Sequence, residues 1–335
     1  MFHFSVPEHW IWNFQMTKFR LMVLALLGAT TIVQVIYVQA VYAQSDEAVS
    51  LRAISLQIEA DESIHDDLVE GTEKKVLWYG ESYQKTELSV VYIHGFTASR
   101  QESAPFSDLL AQALQANLFY TRLTGHGRSA DAIAEGSAEN WITDAREAFE
   151  IGTRLGEKVI VIGLSTGATL ATYLASLPDS EDIHAVVLIS PNYRVSDARA
   201  YYFDSVIGRW LYKRIYGEYN EYETLNEDHA AYWTERYPLD AISSLLDLLK
   251  VVKDLDKATI STPMIMFYSE NDEVVEVGEM LNVFDAWGTE QKTKIVVDNS
   301  SDPAQHILMG DIISPDTTDA MVENTVNFVR SIEPM

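Results

Sequence analysis

Cysteine is absent from the chain. Without a thiol there are no disulfides, no thiolate metal ligands, no cysteine nucleophile and no lipid attached through sulfur. Positive charge is scarce as well. Against 50 Asp and Glu stand 24 Lys and Arg, a net charge of −26 at pH 7 with His neutral. Such an acidic surface repels phosphate backbones and anionic headgroups, which argues against nucleic-acid or acidic-membrane binding by simple electrostatics. No internal repeat or low-complexity linker divides the chain. H-E-x-x-H, P-loop and dinucleotide fingerprints are all missing, so no metal and no cofactor is implied. Long apolar runs are missing too, with one exception near the N-terminus.

That exception begins after Lys18 and Arg20, where Leu21 to Val33 is apolar and Ile36, Tyr37 and Val38 continue it less purely. Val41-Tyr42-Ala43 then precedes the polar Gln44-Ser45-Asp46-Glu47. Charged region, apolar region and small residues occur in the order of an export signal. Residues 1–43 are therefore expected to be a signal peptide cleaved after Ala43, with Met16 a rival start. The competing expectation is a retained anchor through residues 21–43, which Thr30, Thr31 and Gln34 weaken. Either way the protein is expected outside the cytoplasm or tethered to a membrane.

What remains, 44–335, reads as one domain of 47% apolar and 22% charged composition in the whole chain, ordinary for a globular core. Residues 44–70 are polar and acidic and are expected to be loosely held. Short apolar runs at Lys75 to Tyr79, Leu88 to His94, Asn117 to Thr121, Val159 to Ile162, Ala185 to Ile189, Pro263 to Tyr268 and Lys294 to Val297 predict strands. Helical spacing at Phe106 to Leu114, Trp141 to Leu155 and Ala320 to Arg330 alternates with them. Alternation of this kind predicts an α/β fold, a mostly parallel sheet with helices on both faces. The stretch from Asn192 to about Ala258 lacks strand-like runs and holds nine of the 17 tyrosines. It is expected to be a helical cap inserted into the domain, with a few of its aromatic residues lining an apolar pocket.

Lys158 to Ser176, KVIVIGLSTGATLATYLAS, carries the chemistry. An apolar strand runs into Gly163-Leu164-Ser165-Thr166-Gly167, and Leu170, Ala171 and Leu174 follow at helical spacing. Strand, G-x-S-x-G and helix together make a nucleophile elbow, a sharp turn that lifts Ser165 above the sheet beside a helix N-terminus. A serine hydroxyl attacks only if a base takes its proton and a third group orients that base. Of the eight histidines, His306 alone lies late enough in the chain, after the strand ending at Val297. The turn Ser269-Glu270-Asn271-Asp272-Glu273 follows another late strand. Asp272 is preferred as the acid because Val274-Val275 would anchor its turn, and Glu270 and Glu273 are its rivals. Backbone N–H groups must also meet the oxyanion. Thr166, directly after the nucleophile, supplies one, and Phe96 in the His94-Gly95-Phe96 turn is expected to supply the other.

VVYIHGFTAS, FYTRLTGHGRS, VIGLSTGATLA, the Asp272 turn and the His306 loop resemble the α/β-hydrolase superfamily. Within it they are most similar to the capped branch of carboxylesterases, monoacylglycerol-lipase-like lysophospholipases and serine-aminopeptidase-like hydrolases. The resemblance spans about Leu88 to the C-terminus and implies a Ser165–Asp272–His306 triad. It also implies that the Gly125-His126-Gly127 loop packs beside the elbow. The expected activity is hydrolysis of carboxylic esters, of acyl glycerols or other short to medium acyl chains, so the expected partner is a small ester or lipid. Two alternatives stay open: aminopeptidase or acyltransferase chemistry on the same triad, and a non-catalytic binding scaffold. For an aminopeptidase, Glu218, Glu221, Glu223, Glu227 and Asp228 are the carboxylates available to capture an amine.

Overall fold

The structure is a computed structural model that describes residues 47–332. The leader, the cleavage point after Ala43 and Met16 lie outside those residues. Two compact units divide the chain, 1–52 and 53–335. In the first, the described residues 47–52 are helical. All that follows concerns the second, in which 53–62 form helix α1.

Seven strands make the central sheet in the order β1-β3-β2-β4-β5-β8-β9. They are β1 (Lys75–Leu77), β2 (Thr86–Ile93), β3 (Asn117–Tyr120), β4 (Gly156–Leu164), β5 (Ile183–Ile189), β8 (Met264–Tyr268) and β9 (Lys292–Val296). Only β1 runs antiparallel, paired with β3, while the other six are parallel. Helices α2 (Phe106–Leu114), α3 (Ala138–Leu155), α4 (Thr166–Ala175) and α9 (Pro315–Ser331) cover it. The expected α/β architecture is the observed one.

Strand β4 shows why a short unbroken apolar run is a central strand. Val159, Ile160, Val161, Ile162 and Leu164 are all fully buried, because helices lie on both faces. Ile160, Ile162 and Leu164 join Val90, Tyr92, Phe106, Leu110 and Met321 in the main core. On the opposite face α3 packs so closely that a Cβ at Gly152 would stand 2.6 Å from Val91. Each fully buried aliphatic side chain contributes about 1.5–3 kcal/mol, and β4 alone supplies five.

The region before the sheet is not loosely held. Ile54 and Ile58 of α1 are buried, and Glu62 at its end forms a two-pronged ion pair with Arg122, 2.7 and 2.8 Å, with both side chains under one-tenth exposed. Burial alone would raise the Glu62 pKa. The Arg122 hydrogen bonds and charge, with Lys74, outweigh it and hold the carboxyl below its usual range. Nothing local announces this bond, since its partner is 60 residues away.

The insertion after β5 holds α5 (Val206–Tyr216), α6 (Glu227–Tyr232) and α7 (Ala241–Lys253), but also a hairpin of β6 (Tyr219–Glu221) and β7 (Arg236–Pro238). The hairpin corrects the expectation of an all-helical segment, because three-residue strands are too short to print a period-2 pattern. Helix α8 (Val277–Ala286), between β8 and β9, was likewise not expected. At its start the insertion is stitched to the turn after β8. Val195 bridges Val275, Ser196 N–H donates to the Val274 carbonyl, and Glu276 N–H donates to the Arg194 carbonyl. Among the described residues no helix is long and apolar enough to cross a membrane.

Candidate active site

Ser165 sits between β4 and α4 with φ 53° and ψ −113°, a left-handed conformation that a serine adopts only when held there. What holds it is backbone on both sides. Its N–H donates to the Ile189 carbonyl at 2.9 Å, and its own carbonyl accepts from Ala168, Thr169 and Asn192 N–H groups. The flanking glycines are required by the turn. A Cβ on Gly163 would strike the Gly167 backbone, and one on Gly167 would strike the Ile93 carbonyl. Strand, elbow and helix therefore cross too closely for any other residue at either position.

Asp272 and His306 meet across two loops. Asp272, after β8, and His306, after β9, are joined by a bond from His306 Nδ1 to Asp272 Oδ2 of 2.8 Å. The Asp272 side chain is fully buried and that of His306 is 8% exposed. Asp272 Oδ1 accepts the N–H groups of Val274 and Val275 at 2.9 and 3.0 Å. Anchoring thus works differently from the expectation. Val275 is buried, but Val274 is 40% exposed, and it is their backbone rather than their side chains that fixes the acid. Glu270 and Glu273 point to solvent. With Nδ1–H donating to a carboxylate, Nε2 is the basic nitrogen of His306.

Asp302 has a part that the sequence pattern hid. Its carboxylate accepts the backbone N–H groups of Ala304, His306 and Ile307 at 2.8–3.0 Å, folding the loop that carries the histidine. The His306 carbonyl accepts from Ser190 Oγ at 2.7 Å, tying the same loop to the end of β5. An Asp-Pro-Ala-Gln run reads as an ordinary surface turn, yet Asp302 is 6% exposed.

The turn after β2 is pinned through its first peptide. His94 is fully buried, and its Nε2 accepts the Leu123 N–H at 3.0 Å, so Nδ1 carries the proton and donates to the Gly95 carbonyl at 2.9 Å. Burial pushes the His94 pKa down to about 4, which keeps that tautomer neutral. Ala98 N–H donates to the same carbonyl. That carbonyl shares a peptide plane with the Phe96 N–H, so both bonds turn and polarise this amide. The Phe96 ring is wedged among His126, Trp141 and Tyr237, with centroids 5.3–5.9 Å away. His126 itself is buried between the two loops, its ring 5.0 Å from that of His94. Thr166 is the first residue of α4, so its N–H has no acceptor within the helix.

Ser165, His306 and Phe96 line one cavity of about 530 Å³. Its wall is mainly apolar and much of it comes from the insertion, including Phe203, Trp233 and Ile242. Three of the nine tyrosines counted there, Tyr212, Tyr222 and Tyr237, reach the cavity. Of the five carboxylates considered for amine capture, Glu223 alone borders it. Glu102 also lines it and is absent from any sequence-based reading.

The family described as serine aminopeptidase, S33, matches residues 84–301. The chain belongs to that family. A curated relative, the thermostable monoacylglycerol lipase of Bacillus sp. strain H-257, is 25% identical over 214 residues, 64% of this chain and 82% of the lipase. A solved structure of the metagenome-derived lipolytic enzymes LipS and LipT superposes with a TM-score of 0.65 at 19% identity, covering 78% of this chain and 99% of that one. Monoglyceride lipase from Saccharomyces cerevisiae, solved as a soluble variant with a substrate analogue, gives a TM-score of 0.58 at 10% identity, covering 78% and 92%. These two structures share the α/β-hydrolase fold with this family member.

Proposed function

We propose that the protein is an exported serine hydrolase of carboxylic esters, acting on acyl glycerols or other short to medium acyl chains. The observation that carries the reading is the buried Asp272–His306 pair opening on the same apolar cavity as the strained Ser165. His306 Nε2 takes the Ser165 proton as Oγ bonds to the ester carbonyl carbon. The carbonyl π electrons move to oxygen, where the Phe96 and Thr166 N–H groups receive the charge. Collapse expels the alcohol, which leaves with the proton from Nε2. Water then repeats the cycle on the acyl-enzyme and releases the acid. Asp272 keeps the Nδ1–H tautomer and stabilises the imidazolium.

The substrate class draws on the apolar, aromatic wall of the cavity and on the likeness to a monoacylglycerol lipase. We read residues 192–258 as a cap over the site, because they supply so much of that wall. Export rests on Val41-Tyr42-Ala43 after the apolar run. Sequencing the N-terminus of protein exported from a bacterial host should begin at Gln44, and retention of 21–43 in a membrane fraction would replace cleavage by anchoring. Family membership and Glu223 at the cavity favour aminopeptidase chemistry as the second reading.

A fluorophosphonate probe and a p-nitrophenyl ester chain-length series, run beside aminoacyl anilides, test the proposal. Ser165 should be labelled, and esters should be turned over in preference to anilides. Ser165→Ala should lose labelling entirely and kcat by on the order of 10⁴–10⁶-fold. Undiminished turnover in that variant ends the reading, and a preference for anilides transfers it to the peptidase.

A further inference from the structure

One buried acid beside the site has no part in the steps above. Glu102 lies in the short helical turn Arg100–Ser103 and is 1% exposed. Its Oε1 accepts two hydrogen bonds, from Gly95 N–H at 2.6 Å and from Tyr92 O–H at 2.7 Å. Its Oε2 is buried with no partner. A Cβ built on Gly95 would stand 3.2 Å from that Oε2 and 3.5 Å from the Ser165 Cβ, so the free oxygen lies on the side of the turn that faces the nucleophile.

We propose that Glu102 is a neutral carboxylic acid that positions the oxyanion turn, and that its ionisation withdraws activity in alkaline solution. The proposal rests on the serine-hydrolase reading above. The bonding pattern is that of a neutral acid. Two donors meet the carbonyl oxygen, and the oxygen without a donor is the one free to carry the proton. An ionised carboxylate would leave Oε2 buried and bare, which costs far more than a sealed O–H. Together with His94, Glu102 brackets Gly95: one takes its N–H, the other donates to its carbonyl. Phe96 N–H is the next donor along the chain, so the acid acts through the turn and not on the substrate.

Among the described residues no cation offsets a charge at Glu102. Tyr92 faces it from β2, Tyr222 from the insertion, and His94 from the oxyanion turn is kept neutral by burial. Ser165 and His306 share the cavity, and the Gly310 segment meets Glu102 through backbone. Arg100 on the same helical turn is committed to Glu73 at 2.7 Å. Burial, only partly offset by the Tyr92 and Gly95 bonds, raises the Glu102 pKa to about 8. Above that value the proton leaves Oε2 for solvent, and a negative charge appears beside the site where the oxyanion must form.

The sign for stability is the same. A carboxyl raised in the folded state contributes stability that is complete below its unfolded pKa. That contribution is lost as pH rises through the folded value of about 8.

Glu102→Gln keeps the shape and the accepting oxygen but cannot ionise. At neutral pH it should retain kcat within about fivefold. Above about pH 8 its kcat and its rate of Ser165 labelling by fluorophosphonate should stay level where those of the wild type fall, with KM little changed. Its melting temperature should likewise lose the decline that the wild type shows as pH rises from the ordinary carboxylate range to about 8. Infrared spectra of the wild type should contain a carboxylic-acid band that disappears near pH 8 and is missing from Glu102→Gln. Glu102→Ala should lose kcat on the order of tenfold to a hundredfold at all pH, because the turn loses its acceptor. If Glu102→Gln keeps the wild-type alkaline fall, or is as impaired at neutral pH as Glu102→Ala, the proposal is wrong. Labelling needs no knowledge of the substrate. A wild type that is not labelled at all overturns the hydrolase reading, whereas a labelled wild type with an unaltered profile in Glu102→Gln overturns Glu102 alone.

Discussion

Helices α4 and α5 are both short and both rich in apolar residues, yet they meet opposite fates. Nine of the ten residues of α4 are buried, and none of the eleven in α5. In α4 the residues are small, TGATLATYLA, so the helix can lie flat against the sheet and carry Ser165 at its N-terminus. In α5 they are bulky, with Ile207 78%, Trp210 66% and Ile215 64% exposed. Apolar content alone does not bury a helix. Burial follows where a neighbouring surface can receive it, and the sheet offers α4 such a surface, whereas α5 lies on the outside of the insertion. The loops at the ends of the sheet strands accordingly supply part of the cavity wall, and the insertion supplies much of the rest.

The contrast can be tested at decreasing stakes. Asp272→Asn should cost on the order of 10⁴ in kcat with the fold intact, because the two backbone bonds to its side chain survive while the imidazole tautomer is wrong. Glu270→Gln and Glu273→Gln, both on the surface, should cost far less. A large loss in either, with Asp272→Asn nearly silent, would show that the acid is misassigned.

Glu62→Gln should destabilise the protein by about 3–5 kcal/mol in urea denaturation, since Arg122 would be left buried without its counter-charge. Because the Glu62 pKa is lowered in the folded state, its contribution is present above the ordinary carboxylate range and lost as pH falls through the folded value. An unchanged midpoint would mean that α1 is not docked as described.

Leu170→Ala in α4 should cost about 2–5 kcal/mol through the cavity it leaves. Ile207→Ala in α5 should stay within about 0.5 kcal/mol. Equal losses would mean that α5 is covered in solution, and the comparison between the two helices would fail.

Much of the body was legible because its signals are local. The unbroken run Val159 to Ile162 can bury itself only in the middle of a sheet, and the glycine at 163 follows from a clash within five residues, with the backbone of Gly167. Phe106 to Leu114 was readable as a helix end to end. What escaped depends on partners far away. Glu102 looks like one more acid in a polar run until Gly95 and Tyr92 close over it. Asp302 looks like a surface turn, and Glu62 like solvated lead-in, until the loop and Arg122 are in place. Helix α8 carries a glycine and buries only Met280, so its amphipathic stripe is faint. Chain order singled out His306 and the turn after β8, but within that turn the preference for Asp272 rested on an incomplete reason. Two amides hold it, and any residue followed by free N–H groups could have supplied those.

The stitch between Arg194–Ser196 and Val274–Glu276 has a consequence for anyone who wishes to exchange parts among hydrolases of this shape. Asp272 owes its position to the amides of Val274 and Val275, and those two residues are bonded in turn to the opening of the insertion. A graft joined at Asn192 would import a foreign strand against the acid and shift it. The same graft joined after Ser196 would leave the acid on its native support. Domain borders drawn by chain order and borders drawn by mechanical dependence differ here by four residues, and the second is where the scissors belong.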